Sequence, residues 1–261
     1  MMDFSISLQG SYGNDTNVWK DSDVDIIIRL NQSFYSDLSR LEQGAKGNFD
    51  STYLDVQYGF SEFRTQVITW LTKHFGTDVK PGKKAIFIKG NNGRRDADVL
   101  VCAKLRRYRK GSTGTDDQHD EGICFFLQDK TRVINFPEQH RDNCTTKHQN
   151  SEEWFKKVVR VYKNMRNRMV EEGYLAEGVA PSYFIEGMLW NVPNSAFGVS
   201  FEDSFVNSFN WLNNSDKTQL ACANDLYWLI REGEGKCWKP ADSETYIAAV
   251  RKYWNEWGTY G

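Results

Sequence analysis

Two short stretches near the start of the chain combine residue types that could handle a phosphorylated substrate. In Gln9-Gly10-Ser11-Tyr12 a strand-like run, Ser5–Leu8, gives way to a Gly-Ser turn. Small residues there let backbone N–H groups come close to an anion. Further on, Asp23-Val24-Asp25 opens the apolar run Ile26-Ile27-Ile28. Alternate residues of a strand share a face, so Asp23 and Asp25 point together. Two convergent carboxylates suit a hard divalent cation such as Mg²⁺, which is held by few carboxylates plus substrate phosphates. An Asp-x-Asp pair alone is usually a solvated strand edge. The Gly-Ser turn shortly before it is what gives the pair a chemical reading.

The 261 residues allow one large or two small domains. With 33 Lys+Arg against 35 Asp+Glu the net charge is −2, which argues against a globally basic nucleic-acid binder. No apolar run approaches the ~18–20 residues of a membrane span. Met1–Ser5 has neither the basic start nor the apolar stretch of a secretion signal, so a cytoplasmic protein is expected. Five cysteines, odd in number and widely spaced, read as reduced thiols. His140, Cys144 and His148 stand at i, i+4 and i+8, but no obvious fourth ligand completes a zinc site, so ordinary structural roles are expected.

Short runs rich in Val, Ile and Phe predict strands at Ser5–Leu8, Val24–Leu30, Ala85–Lys89, Asp98–Ala103, Ile123–Leu127 and Arg132–Phe136. Phe60, Phe63, Val67, Trp70, Leu71 and His74 fall on one face of a helix over 57–75, stopped by Gly76. Gly111–Asp120 reads as a mobile, solvated loop. From about 150 the period becomes 3.6. A helix is expected to start at Ser151, with Glu152 and Glu153 in its first turn and Phe155, Val158, Val159, Tyr162 and Met169 as its buried stripe. Further helices are expected over 182–191, 202–213, 216–231 and 243–257. The fold class is therefore α+β, a mixed sheet over 1–150 followed by a helical lobe over 151–261.

The Gly-Ser turn followed by Asp-x-Asp and an apolar strand resembles the signature of polymerase-β-like nucleotidyltransferases. Over residues 9–197 the likeness narrows to the bacterial cGAS/DncV-like nucleotidyltransferases, which make cyclic oligonucleotide second messengers. It is carried by QGSYGNDT…DSDVDIII (9–28), RRDADVLVCAKLRRY (94–108), FPEQHRDNCTTKH (136–148), WFKKVVRVYKNMRN (154–167) and APSYFIEGMLWNVPNSAF (180–197). The resemblance implies a third carboxylate on a neighbouring strand. Asp98, directly before an apolar run, is the first choice and Asp96 the fallback. It implies that Gln9, Gly10 and Ser11 form the nucleotide-phosphate loop. Lys163 resembles a phosphate-contacting lysine, and Ser182 and Tyr183 resemble a pair in which Ser bonds a phosphate and Tyr stacks on the base.

Helical spacing puts Lys163 on a polar face with Arg160 and Asn167, so several donors converge; the plain alternative is a solvated helix surface. Tyr183 follows Pro181-Ser182 at a helix start, where free N–H groups favour phosphate, although an aromatic there could equally be core. The basic run Lys104–Lys110 reads either as a solvated loop or as a patch for triphosphate or for a protein regulator.

The resemblance further implies two-metal phosphoryl transfer between nucleoside triphosphates. One Mg²⁺ would bridge Asp23 and Asp25, a second would be shared with Asp98, and Mn²⁺ would be a substitute. Asn164 is the candidate for reading uracil in a pyrimidine-using enzyme. A role in bacterial antiphage signalling is implied. A nucleic-acid activator is not expected, because the zinc-containing insertion of the animal relatives is absent. The alternatives are a polymerase-β-like enzyme that modifies a protein, an RNA end or a small molecule, and an inactive nucleotide-binding module. Family members carry a long helix ahead of the Gly-Ser strand, and only nine residues precede Gly10 here, which reads as a short form, a late start or a cut chain.

Overall fold

β-Branched and aromatic runs in the first half of the chain assemble a mixed sheet. The computed structural model describes residues 3–18, 23–53, 59–116 and 118–257. It divides into two units, Met1–Gln9 with Ser22–Pro137 and Gly10–Asp21 with Glu138–Gly261. The change therefore falls earlier than the 150/151 boundary expected from the hydrophobic period. The segment carrying Gly10 and Ser11 folds with the second unit.

In the first unit the elements are β1 (Phe4–Gln9), β2 (Val24–Asp37), α2 (Gln43–Thr52), α3 (Phe60–Phe75), β3 (Val79–Pro81), β4 (Ile86–Ile88), β5 (Ala97–Tyr108), β6 (His119–Phe126) and β7 (Arg132–Asn135). The sheet runs β1-β2-β5-β4-β3, and β6 pairs with the far half of β5 and with β7. β2 and β5 are parallel, and the other pairs are antiparallel. A register shift lies between Leu30 and Phe34. In α3 the Glu62 carboxylate accepts the Gly59 N–H, and Gly76 takes φ 59° at the expected stop. Residues 57 and 58 of the expected helix lie outside the described residues. Phe60, Phe63 and Leu71 are buried as expected, but Trp70 and His74 stack on each other at the surface, centroids 3.9 Å apart.

Two expectations in this unit need correction. Lys104–Tyr108 is not a loop but the second half of β5, and its charges are paired across to β6. Lys104 Nζ lies 2.8 Å from Glu121, while Arg107 and Arg109 lie 3.2 and 2.8 Å from the buried Asp120. The Arg106 and Arg107 guanidinium groups also sit over the rings of Phe34 and Phe136. Most of this charge is thus spent inside the sheet. Within the expected loop Gly111–Asp120, residues 111–116 are likewise built rather than loose: Ser112 is buried, and Asp116 accepts from the Ser112 hydroxyl and the Thr113 N–H.

The second unit holds the short α1 (Gly10–Gly13) and, after it, α4 (Pro137–Asn150, with the unit from Glu138 on), α5 (Phe155–Glu171), α6 (Ser182–Trp190), α7 (Phe201–Asn214) and α8 (Pro240–Trp257). The expected stripe of α5 is buried, joined by Met165. Its start differs: Glu152 and Glu153 take φ 50° and 62° in a turn before the helix, and the Ser151 hydroxyl accepts the Phe155 N–H at 3.0 Å. The helix expected over 216–231 is absent. That segment has a 3₁₀ turn at Lys217–Gln219 and the bridges Ala221↔Trp228 and Ile230↔Trp238. Asn191 clamps both the N–H and the carbonyl of Ala221, and Asp225 takes φ 57°, so the backbone turns back while Leu220, Cys222, Leu229 and Ile230 stay buried. All five cysteines are buried free thiols, and no helix among the described residues is long and apolar enough to cross a membrane.

Close backbone approach gives the sheet one testable weak point. A Cβ on Gly122 of β6 would stand 2.7 Å from the Asn135 carbonyl oxygen and 2.8 Å from the Phe136 ring. Gly122→Ala is expected to cost about 1–3 kcal/mol of stability by overpacking. Urea unfolding should show a lower midpoint at unchanged slope.

Candidate active site

Parallel pairing of β2 with β5 puts Asp25 directly beside Asp98. Across the other edge of β2, Gln9 of β1 is the register partner of Asp25. Asp23 immediately precedes β2 and is exposed, whereas Asp25 and Asp98 are half-buried. Burial, then the charge of Asp23, then that of Asp96 raise the Asp98 carboxyl above its ordinary value, so like charges do converge here. The structure also separates the two candidates for third carboxylate. The Asp96 side chain accepts the Gly90 N–H and its carbonyl accepts the Val24 N–H, which commits it to shaping the strand entry. Asp98 is the one aligned with Asp25.

Asp25 and Asp98, in register on adjacent strands, and Asp23 just before β2 offer hard oxygen donors that fit a divalent cation. Among the described residues no group of three or more His, Cys, Asp or Glu side chains yet closes to a shared ligand set.

The second unit supplies the other predicted residues. Gly10 takes φ 62°, a conformation that suits glycine, as the strand gives way to α1. The Asn14 N–H donates to the Gly10 carbonyl at 3.1 Å and the Thr16 N–H to the Ser11 carbonyl at 2.9 Å. The alternative of a solvated helix surface does not hold for Lys163. It is fully buried, and its Nζ donates to the Thr16 carbonyl at 2.9 Å. Lys156 is buried too, donating to Asp15 at 3.2 Å and Thr145 at 3.3 Å, and Arg160 donates to the Asp15 carbonyl at 2.6 Å. On a face that is polar by residue type Lys156 and Lys163 are buried and Arg160 is half-buried, because each cation meets an acceptor on the segment after Ser11.

Asn164, next along α5, is exposed. The Ser182 hydroxyl accepts from Arg166 at 3.4 Å. Tyr183 is half-buried; its ring stacks on His140, centroids 4.9 Å apart at 22°, and its hydroxyl accepts from Asn224. Burial, then Cys222, raise the Tyr183 phenol.

Three polar residues that were not singled out from the sequence, Asn14, Thr16 and Glu186, form a bonded cluster with His140. Glu186 in α6 accepts from Asn14, Thr16 and His140. The available signal was one carboxylate inside the apolar run Ile185-Glu186-Gly187-Met188-Leu189. The other members of the His140–Cys144–His148 spacing go separate ways: Cys144 lies in the core, its thiol raised by burial and by Glu186, and the His148 ring accepts the Lys156 N–H.

Residues 142–255 match the family described as the cGAS/DncV-like nucleotidyltransferase C-terminal helical domain. Over 97% of its length the chain is 33% identical to a cyclic UMP-AMP synthase of Rhodothermus marinus, covering 85% of that protein. It is also 33% identical to a cyclic dipurine nucleotide synthase of Elizabethkingia meningoseptica, again over 97% of this chain and 85% of the relative. The solved structure of the Rhodothermus marinus CdnE c-UMP-AMP synthase with Apcpp and Upnpp superposes with a TM-score of 0.88 at 32% identity, over 98% of this chain and 85% of that one. The mixed sheet followed by helices agrees with the expected α+β class.

The charge cluster yields a stability test. A carboxyl whose value is raised in the folded state destabilises the fold above its unfolded value, and that penalty fades as the pH falls and the group takes a proton. Asp98→Asn is therefore expected to raise the unfolding temperature at neutral pH in EDTA-treated buffer, with the difference shrinking on acidification. A midpoint unchanged or lowered at neutral pH would contradict the assignment of converging charge.

Proposed function

Because this chain belongs to the cGAS/DncV-like nucleotidyltransferase family, we propose that it joins nucleoside triphosphates into a cyclic di- or trinucleotide with release of pyrophosphate, using Asp23, Asp25 and Asp98 as its metal-binding carboxylates. The observation that carries the site assignment is the parallel register of Asp25 with Asp98, to which Asp23 contributes a third like charge.

Two Mg²⁺ ions, or Mn²⁺ in their place, would be held by Asp23, Asp25 and Asp98, and when bound they supply Lewis-acid activation of an acceptor hydroxyl and charge neutralisation at the triphosphate. The chain's own part is placement. β2 and β5 present the carboxylates from adjacent strands, and Gln9 offers an amide beside Asp25. Gly10 and Ser11 open backbone N–H groups and a hydroxyl to phosphate. Lys163 acts on that loop through the Thr16 carbonyl, so it positions the loop rather than grips phosphate. Ser182 offers a hydroxyl to phosphate and Tyr183 a ring to a base.

Base choice is a separate matter. The two relatives above are equally identical to this chain, yet one is named for UMP and AMP and the other for purines. We assign the choice to Asn164, whose exposed amide offers both a donor and an acceptor to the uracil edge. The product would serve bacterial antiphage signalling through a downstream effector, a role that rests on family alone.

Incubation with the four nucleoside triphosphates and Mg²⁺, phosphatase treatment and mass spectrometry should reveal a phosphatase-resistant cyclic product. A nucleotidylated protein, RNA end or small molecule instead, or no consumption, would overturn the reading. The double variant Asp23→Asn with Asp25→Asn should lose at least about 10³-fold in rate, equivalent to roughly 4 kcal/mol of transition-state stabilisation, while circular dichroism is unchanged. Asn164→Ser is expected to weaken discrimination for UTP in a four-nucleotide competition. Unaltered selectivity would remove Asn164 from that role.

A further inference from the structure

Glu186 is 3% exposed, in a helix whose neighbouring residues Ile185, Met188 and Leu189 are also buried. A lone carboxylate in such surroundings would neutralise itself. Burial does push Glu186 upward, but the His140 hydrogen bond and charge, then the Lys163 charge and the Thr16 hydroxyl, outweigh it and hold the carboxyl below its ordinary value. The group is an anion, and an anion only accepts.

Its two oxygens are used in an ordered way. Oε1 accepts the Thr16 hydroxyl at 2.5 Å and faces Lys163 Nζ at 3.9 Å. Oε2 accepts the Asn14 amide at 3.0 Å and His140 Nε2 at 2.7 Å. With the carboxylate ionised, Nε2 must carry the imidazole proton and Asn14 must present its nitrogen.

Two of these donors belong to the segment that begins at Gly10. Thr16 is held three times: by its side chain to Glu186, by its carbonyl to Lys163, and by its N–H to the Ser11 carbonyl. Asn14, held through its side chain, donates its N–H to Gly10. On the other flank, His140 lies flat against the Tyr183 ring. One carboxylate thus ties the Gly-Ser turn and the tyrosine to a single point.

We propose that Glu186 is a positioning residue: it fixes the Gly10–Ser11 turn through Asn14 and Thr16, and the Tyr183 ring through His140, in the one arrangement that receives a nucleotide. This rests on the reading above, in which Ser11 meets phosphate and Tyr183 meets a base. Glu186 itself touches no substrate. The cluster therefore sets nucleotide affinity from inside the helical unit, apart from the carboxylates on the sheet.

The near-isosteric Glu186→Gln removes the charge that faces Lys163 and replaces one acceptor oxygen with an amide N–H₂, so that Thr16 or the Asn14 and His140 pair must reorient to meet it. Thr16→Val removes one bond at constant shape and is the milder variant should Glu186→Gln not fold. Thr16→Ser keeps the hydroxyl. Glu186→Gln and Thr16→Val are expected to raise KM for nucleoside triphosphate roughly tenfold, with a smaller change in kcat, while Thr16→Ser stays near the parent. Without any nucleotide, hydrogen exchange should quicken over residues 10–18 and leave α7 and α8 unchanged. Two results would overturn the proposal: a folded Thr16→Val protein with parental exchange over 10–18, or quickened exchange spread through α7 and α8, the mark of a merely structural ion cluster. A parent protein that consumes no nucleotide would instead defeat the functional reading, and the exchange comparison would still decide whether Glu186 holds the turn.

Discussion

Carboxylates on adjacent strands repel one another, and the first unit carries that repulsion because β2 and β5 run parallel in a fixed register. Asp25 cannot move away from Asp98 without breaking that register, and a slip of one residue would turn every side chain of the strand to the opposite face. The pairing Leu30↔Ala103, both fully buried, opposes such a slip. The irregularity in the ladder comes only after Leu30, beyond the acidic residues. Core packing thus holds Asp25 beside Asp98, where burial and the nearby charges of Asp23 and Asp96 raise the Asp98 carboxyl. The cation binding proposed for these carboxylates and their stability cost share this one cause.

The second unit solves the reverse problem. Its buried charges are mixed in sign and mutually satisfied: Glu186 among four donors, Lys156 against Asp15, Lys163 against the Thr16 carbonyl. Such networks contribute little net stability, since desolvation offsets most of the attraction. What they do provide is direction. A carboxylate that must meet an amide, a hydroxyl and an imidazole at 2.5–3.0 Å leaves its partners few other arrangements, whereas an apolar contact would let them slide.

Legibility in the sequence followed the distance over which each feature is decided. The Gly-Ser turn, the Asp-x-Asp strand, the Gly76 stop and the buried stripe of α5 are local patterns, and each could be read from a window of a few residues. The alignment of Asp98 with Asp25 has a local signal too, an Asp placed directly before an apolar run. Features set by distant partners were not. Lys104–Tyr108 reads as a basic loop until Asp120 and Glu121 appear across the strand pair. Lys163 looks like a surface cation because its acceptor, Thr16, is 147 residues away in the chain. Apolar spacing over 216–231 suggests a helix, yet the same residues are buried along a folded-back segment that Asn191 clamps from outside the window.

The assignment of the Gly10–Asp21 segment to the helical unit changes how the two chemical motifs should be regarded. In sequence, Ser11 and Asp23 are near neighbours and belong to one signature. In the fold they answer to different cores: Asp23 precedes a strand of the sheet, while Ser11 is bonded to Thr16, which Glu186 and Lys163 secure. A substitution deep in α6 can therefore reach the Gly10–Ser11 turn through bonds within the helical unit alone. Under the proposed function, affinity for the triphosphate and charge at the carboxylates are then separable properties, the first set by a buried network and the second by strand register. Single-sequence reading could not anticipate that division, because it follows from which residues Asn14 and Thr16 meet, some 170 residues further along the chain.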